Sequence, residues 1–230
     1  MRIGGIQKLT LLDYPGKIAY TVFLSGCNLR CPYCHNPGLV LPREDGGREL
    51  GVAELFDFLE RRRGKLDGVC VTGGEPTLHA ELPRLMEDIR GMGYAVKLDT
   101  NGTNPRLLRE ILRAGLADYV AMDVKNGRTR YKETCGGVDA LRQVEESAGL
   151  LLEGAADYEF RTTVCKPLHT PGGMEEIGEW LKGARRYFLQ QFVDSGDLLS
   201  GGVQAFTPEE LDRLRQAVLP FIPNTQIRGL

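Results

Sequence analysis

The sequence predicts an open, partial (β/α)6 TIM-like barrel, an α/β fold with mostly parallel strands. Three observations predict it. Six short apolar runs alternate with stretches whose apolar residues recur at helical spacing, the pattern of parallel strands covered by helices. The glycine-rich and polar segments suited to binding follow the carboxyl ends of the runs, where an α/β barrel builds its site. A doubly wound sheet is the alternative, but cysteines follow the first run instead of Gly-x-Gly-x-x-Gly.

The 230 residues read as one domain: a lead-in over 1–17, the barrel core over 18–193, and a C-terminal helix and tail over 194–230. Apolar residues make up 42%, enough for a sizeable core. The formal charge of −2 lacks the basic excess of a nucleic-acid binder. No apolar run approaches the roughly 20 residues that span a membrane. The six cysteines are clustered, unlike a disulfide framework, and no signal peptide precedes them. A reducing cytoplasm is the expected compartment.

In chain order, Pro15-Gly16 marks a turn that closes an edge segment. The run from Ile18 to Leu24 is the first strand, and Cys27, Cys31 and Cys34 fall on the loop beyond it. Gly26 precedes them and Pro32 stiffens the turn. Residues 37–50 read as loop, and Val52, Leu55, Phe56 and Leu59 then mark one helix face. The second strand, from Gly68 to Val71, leads into Thr72-Gly73-Gly74-Glu75-Pro76. There paired glycines admit a ligand to the main chain and Glu75 adds an acceptor. After a helix through Leu82, Leu85, Met86 and Ile89, the third strand ends in Asp99-Thr100-Asn101-Gly102. Pro105 opens the next helix, and the fourth strand ends in Asp123-Val124-Lys125. Alternate residues share a strand face, so Asp123 and Lys125 point to one site. The fifth strand, from Tyr158 to Val164, carries Arg161 in an apolar run, where a guanidinium needs a carboxylate partner. The sixth, from Tyr187 to Val193, carries Gln191 as an uncharged donor. A helix after Thr207-Pro208 and a final strand around Thr225 to Arg228 complete the chain. Cys70, Cys135 and Cys165 read as packing residues.

Three cysteines in eight residues, spaced four and three apart, suit a soft metal centre. Zinc held by Cys27, Cys31, Cys34 and His35 is one reading, but adjacent Cys34 and His35 converge poorly on a tetrahedral ion. A four-iron cluster is the other. Three thiolates leave one iron open, whereas electron-storage clusters are normally closed by four.

Cys27-x3-Cys31-x2-Cys34, with Tyr33 before the third cysteine, resembles the signature of radical S-adenosylmethionine enzymes. The resemblance implies a 4Fe–4S cluster on the three cysteines and S-adenosylmethionine on the open iron. It implies that Tyr33 covers the adenine or shields the cluster, and that Gly73, Gly74, Glu75 and Pro76 receive the methionine amino group. Asp99, Thr100 and Asn101 would border the nucleoside, and Asp123 and Lys125 would flank the methionine. Arg161 would stand near the cofactor, and Gln191 would stand where some relatives carry a histidine. The implied reaction is reductive cleavage to methionine and a 5′-deoxyadenosyl radical that abstracts hydrogen.

The lead-in from Gln7 to Lys17 and the run Cys34-His35-Asn36 resemble activating proteins of anaerobic ribonucleotide reductase and pyruvate formate-lyase. Their substrate is a glycine of a partner enzyme. The implied partners are a glycyl radical enzyme and a flavodoxin or ferredoxin as electron donor, with no nucleic acid and no membrane. Arg43, His35 and residues 37–48 are placed to meet the protein substrate. A small-molecule or RNA substrate, and a non-enzymatic iron–sulfur or zinc protein, are the alternative readings.

Overall fold

A computed structural model describes residues 1–41, 51–194 and 196–229. Among the described residues, eight strands form one sheet in chain order: β1 (Ile3–Thr10), β2 (Ala19–Leu24), β3 (Gly68–Gly73), β4 (Ala95–Thr100), β5 (Tyr119–Asp123), β6 (Asp157–Val164), β7 (Tyr187–Gln191) and β8 (Thr225–Arg228). β1 pairs antiparallel with β2, and every later pairing is parallel. β1 and β8 lie at opposite ends of the strand order, so the sheet is an open, partial barrel. The six expected strands are its centre, and the tail strand is β8. The lead-in adds β1, which exceeds the edge segment read from the sequence.

The helices are α1 (Pro37–Val40), α2 (Val52–Arg61), α3 (Leu82–Gly91), α4 (Pro105–Arg113), α5 (Tyr131–Thr134), α6 (Leu141–Leu152), α7 (Pro171–Trp180) and α8 (Pro208–Val218). Proline stands in the first turn of α3, α4, α7 and α8, where its missing N–H costs nothing. Asn104, Thr170 and Thr207 cap α4, α7 and α8 with side-chain acceptors.

Strand periodicity sorts the side chains into two environments. Val69, Val71, Val96, Leu98, Val120, Met122, Tyr158 and Phe160 belong to the main apolar core with the covering helices. The alternate residues occupy the barrel interior, and most are polar: Thr72, Asp99, Asp123, Arg161, Thr163 and Gln190 line its cavity. At the amino ends of the strands the interior is filled by Tyr14, Ala19, Tyr119 and Ala121. There the buried Glu159 accepts from Arg228 at 2.7 and 2.9 Å and from Tyr119 Oη at 2.7 Å. The interior is thus filled at the amino ends and holds its cavity toward the carboxyl ends.

The loop after β2 is pressed onto the loop after β3. Gly74 N donates to Leu24 O at 2.9 Å, and Glu75 N donates to Gly26 O at 2.7 Å. A Cβ on Gly74 would lie 2.1 Å from Gly26 O, and one on Gly73, at φ 130°, would lie 2.2 Å from Leu24 O. Both glycines are thus required by main-chain packing before any ligand is considered. Gly74→Ala is expected to cost about 2 kcal/mol or more through overpacking. Gly149→Ala, at an exposed and unobstructed position in α6, is expected to gain about 0.5–1 kcal/mol. Urea unfolding of both variants checks the contrast in sign.

Candidate active site

A cavity of about 310 Å³ lies at the carboxyl ends of the strands. The cysteine loop forms one wall. Leu29 is buried in the core and anchors the loop. Arg30 Nη1 donates to Cys27 O at 2.7 Å and to Leu29 O at 2.9 Å, and Cys34 N closes a turn on Cys31 O at 3.1 Å. Cys27, Cys31 and Cys34 all line the cavity. Leu29 N and Asn101 Nδ2 donate to Cys27 Sγ at 3.4 and 3.9 Å. Burial pushes the Cys27 and Cys34 thiols up. A hydrogen bond from Cys135 holds Cys31 down at about 7, against the effect of burial.

The opposite wall is a network of alternating charges. Arg161 Nε donates to Asp123 Oδ1 at 2.9 Å, and its two terminal nitrogens reach Asp99 Oδ2 at 3.3 Å. Lys125 Nζ donates to Asp123 Oδ2 at 3.1 Å. Lys97, fully buried below, pairs with Asp99. Burial alone would raise both aspartates, but Arg161 and the neighbouring lysine outweigh it and hold each carboxyl below its ordinary range. Burial would likewise lower Lys125, but Asp123 and Cys31 hold its ammonium above the usual range. All three groups are charged at neutral pH.

The expected residues separate into two sets. Tyr33, Gly73, Gly74, Asp99, Thr100, Asn101, Asp123, Lys125 and Arg161 line the cavity with the cysteines. Glu75 and Pro76 are buried outside that lining. Glu75 Oε1 accepts from Thr77 N, Thr77 Oγ1 and Thr100 Oγ1 at 3.0, 2.5 and 2.8 Å, and Oε2 accepts from Asn101 N at 2.6 Å. Its carboxylate ties the β3 loop to the end of β4 and presents no acceptor to a ligand. Burial pushes its carboxyl up, opposed by those four donors.

Gln191 also requires a correction. Its Nε2 donates to Phe206 O at 2.5 Å, on the outer face of β7, while its neighbour Gln190 lines the cavity. A shift of one residue in a strand reverses the face. Asp13, Thr21, Phe23 and Thr163 line the cavity as well and were not among the expected site residues. Thr163 was accessible to the alternation rule, standing two residues beyond Arg161. Asp13, which the resemblance of the lead-in set at the cluster mouth without a chemical role, enters from the lead-in turn, where it accepts from Thr21 Oγ1 at 2.6 Å.

Tyr33 packs its ring edge-on to His169 at 5.9 Å. His169 accepts from Cys165 N at Nδ1, 3.1 Å, which leaves Nε2–H to donate to Lys125 O at 2.8 Å. His35 stacks on Phe192 at 5.5 Å. Arg43 and the rest of residues 42–50 lie outside the described residues.

These residues fit an iron–sulfur cluster. Three soft donors on one anchored loop face a common cavity. Among the described residues, no three His, Cys, Asp or Glu side chains converge as around a single ion. The buried Tyr33 hydroxyl has no hydrogen-bond partner among the described residues. Cys27, Cys31 and Cys34 would hold the cluster.

Residues 21–181 match the Radical SAM superfamily, and the chain belongs to that superfamily. Its enzymes use a 4Fe–4S cluster and S-adenosylmethionine, and this chain is one of those enzymes. A Methanocaldococcus jannaschii protein, provisionally named a glycyl-radical enzyme activating enzyme, is 33% identical over 238 residues, covering 99% of this chain and 96% of that protein. A Methanopyrus kandleri 7-carboxy-7-deazaguanine synthase is 36% identical over 174 residues, covering 66% of this chain and 68% of that protein. The crystal structure of Streptococcus suis SuiB bound to S-adenosylmethionine matches in fold, with a TM-score of 0.67 at 16% identity over 91% of this chain and 52% of that chain. Among the described residues, no helix is long and apolar enough to cross a membrane.

The electrostatics give a test with a definite sign. Asp123 titrates below its unfolded value of about 3.9. Its stabilising contribution is therefore present above about pH 4 and is lost as pH falls toward the folded value. Asp123→Asn should cost on the order of 2 kcal/mol at pH 7, since Arg161 and Lys125 lose a partner that is only 30% exposed. Urea titrations between pH 3 and 8 should show the deficit narrowing only below about pH 4.

Proposed function

We propose that this chain is the activating enzyme of a glycyl radical enzyme, with anaerobic ribonucleotide reductase as the partner. The observation that carries the activase reading is the end-to-end match to the Methanocaldococcus jannaschii relative, over 99% of this chain and 96% of that protein. The choice of partner rests on the lead-in from Gln7 to Lys17 and on Cys34-His35-Asn36. A flavodoxin or ferredoxin supplies the electron, and the domain spans residues 1–230 in the cytoplasm.

When bound, the cluster and S-adenosylmethionine supply reductive carbon–sulfur cleavage and the hydrogen-abstracting 5′-deoxyadenosyl group. The chain supplies orientation and exclusion of water. Cys27, Cys31 and Cys34 hold the metal. Asp99, Thr100 and Asn101 border the nucleoside, and Asp123 and Lys125 offer opposite charges to the two charged ends of the methionine moiety. Gly73 and Gly74 present main chain. Arg161 commits three of its five N–H donors to Asp99 and Asp123, so it positions the carboxylates while itself lining the cavity beside the cofactor. Tyr33 backs the cluster loop, and Gln190 takes the place expected of Gln191 on the cavity side.

The test mixes anaerobically reconstituted protein, a reductant and S-adenosylmethionine with each candidate glycyl radical enzyme of the same organism. A doublet electron paramagnetic resonance signal is expected in anaerobic ribonucleotide reductase, followed by backbone cleavage at the radical glycine on exposure to oxygen. The Cys27→Ala variant should give neither signal. If every protein stays silent while a small metabolite drives 5′-deoxyadenosine release, the enzyme is of the small-molecule kind, as the deazaguanine synthase relative is by name.

A further inference from the structure

Lys97 is a buried charge to which the site described above gives no task. It stands on β4 two residues before Asp99, so both side chains point into the barrel interior. It is 1% exposed and does not line the cavity, whereas Asp99 does. Its neighbours in register are Cys70 on β3 and Tyr119 on β5. The ammonium lies 6.0 Å from the centre of the Tyr119 ring and 3.8 Å from Cys70 Sγ, and it pairs with Asp99 Oδ1.

That placement is unfavourable on its own. A lysine is almost never fully buried, and a buried ion pair is often no more stabilising than apolar residues of the same volume. Asp99 would keep a cation without Lys97, because two nitrogens of Arg161 reach its Oδ2. Lys97 governs the other oxygen. Cys70 Sγ donates to Oδ1 at 3.7 Å, and Thr72 Oγ1 donates to Oδ2 at 3.2 Å. Oδ1 is thus held by Lys97 and Cys70, and Oδ2 by Thr72 and Arg161, which fixes the plane of the carboxylate. Without Lys97 the group answers to Arg161 and Thr72 alone and is free to turn about its own axis.

We infer that Lys97 is a positioning residue for S-adenosylmethionine, fixing from beneath the cavity the Asp99 carboxylate that borders the nucleoside. The inference rests on the cofactor reading given above and is independent of which partner enzyme is activated. Lys97 makes no contact with the cofactor and acts only through Asp99.

The test uses anaerobically reconstituted enzyme and S-adenosylmethionine itself, with the dissociation constant measured by calorimetry. The variants are Lys97→Met, close in length without charge; Lys97→Gln, which keeps an N–H donor; Asp99→Asn; and each Lys97 change combined with Asp99→Asn. Lys97→Met should weaken binding about tenfold, and the Michaelis constant for 5′-deoxyadenosine release should rise by the same factor. Lys97→Gln should fall between Lys97→Met and wild type. In the Asp99→Asn background neither Lys97 change should bring a further loss, because two effects carried by one carboxylate do not add. Urea unfolding reports stability separately, and if the methionine variant does not fold, the glutamine variant carries the comparison. A folded Lys97 variant with wild-type affinity, beside an Asp99→Asn variant that binds weakly, would leave Lys97 only a structural part and overturn the inference. The same tenfold loss repeated in the Asp99→Asn background would also overturn it. Wild-type affinity in Asp99→Asn, or a wild-type enzyme that binds no S-adenosylmethionine, would overturn the cofactor reading and the inference with it.

Discussion

Arg161 ties together three strands. It stands on β6, binds Asp123 on the adjacent β5, and reaches past it to Asp99 on β4. Lys97 and Lys125 complete an order of alternating sign across the interior. Charges in so enclosed a place persist only where each faces an opposite partner. Removing one member leaves its neighbours unbalanced, so the network behaves as a unit. It adds little net stability, because desolvation offsets much of the attraction. Stability comes from the other face of the same strands, where valine, leucine and aromatic residues meet the helices. The division explains how a sheet of mostly parallel strands, whose residues usually read as unbroken apolar runs, alternates here.

That alternation made much of the site legible. Asp123 and Lys125, two apart at a strand end, do share a face, and Arg161 does have the carboxylate partners its burial demands. What sequence conveyed less well was direction. Glu75 sits in the expected segment, but its carboxylate turns inward to four donors. Gln190 and Gln191 differ by one step, and a strand end is uncertain by at least that much. β1 was obscured by Gly4-Gly5 and by Gln7-Lys8, which lack the β-branched or aromatic character of a strand. Pairing with β2 organises it. Gly73 and Gly74 suggested a ligand lying on bare backbone. Their nearest constraint is the cysteine loop itself, a long-range contact that no local pattern announces. Cys135 is a similar case, since its contact with Arg30 depends on how a distant helix closes.

The relatives show why the fold alone leaves the substrate open. Proteins with unlike names share this architecture, and function resides in the walls that each adds to a common frame. In this chain the cavity lining also includes Asp13, Thr21, Phe23, Thr163 and Gln190. These come from the lead-in and from β2, β6 and β7, so strands far apart in the sheet order contribute to one opening.

The cysteine loop is held from several sides, and Asn101 and Thr103 bond to Asn28 within it. Gly74 and Glu75 grip it beside β2, Cys135 holds Arg30, and Ser200 N donates to Pro32 O at 3.3 Å. Small zinc domains gather their ligands only when the metal arrives, and much of the affinity is spent on folding. Here the conformational entropy of the ligand loop is lost when the barrel folds. Metal uptake then resembles docking to a finished surface, and a protein stripped of iron retains the geometry needed to be charged again.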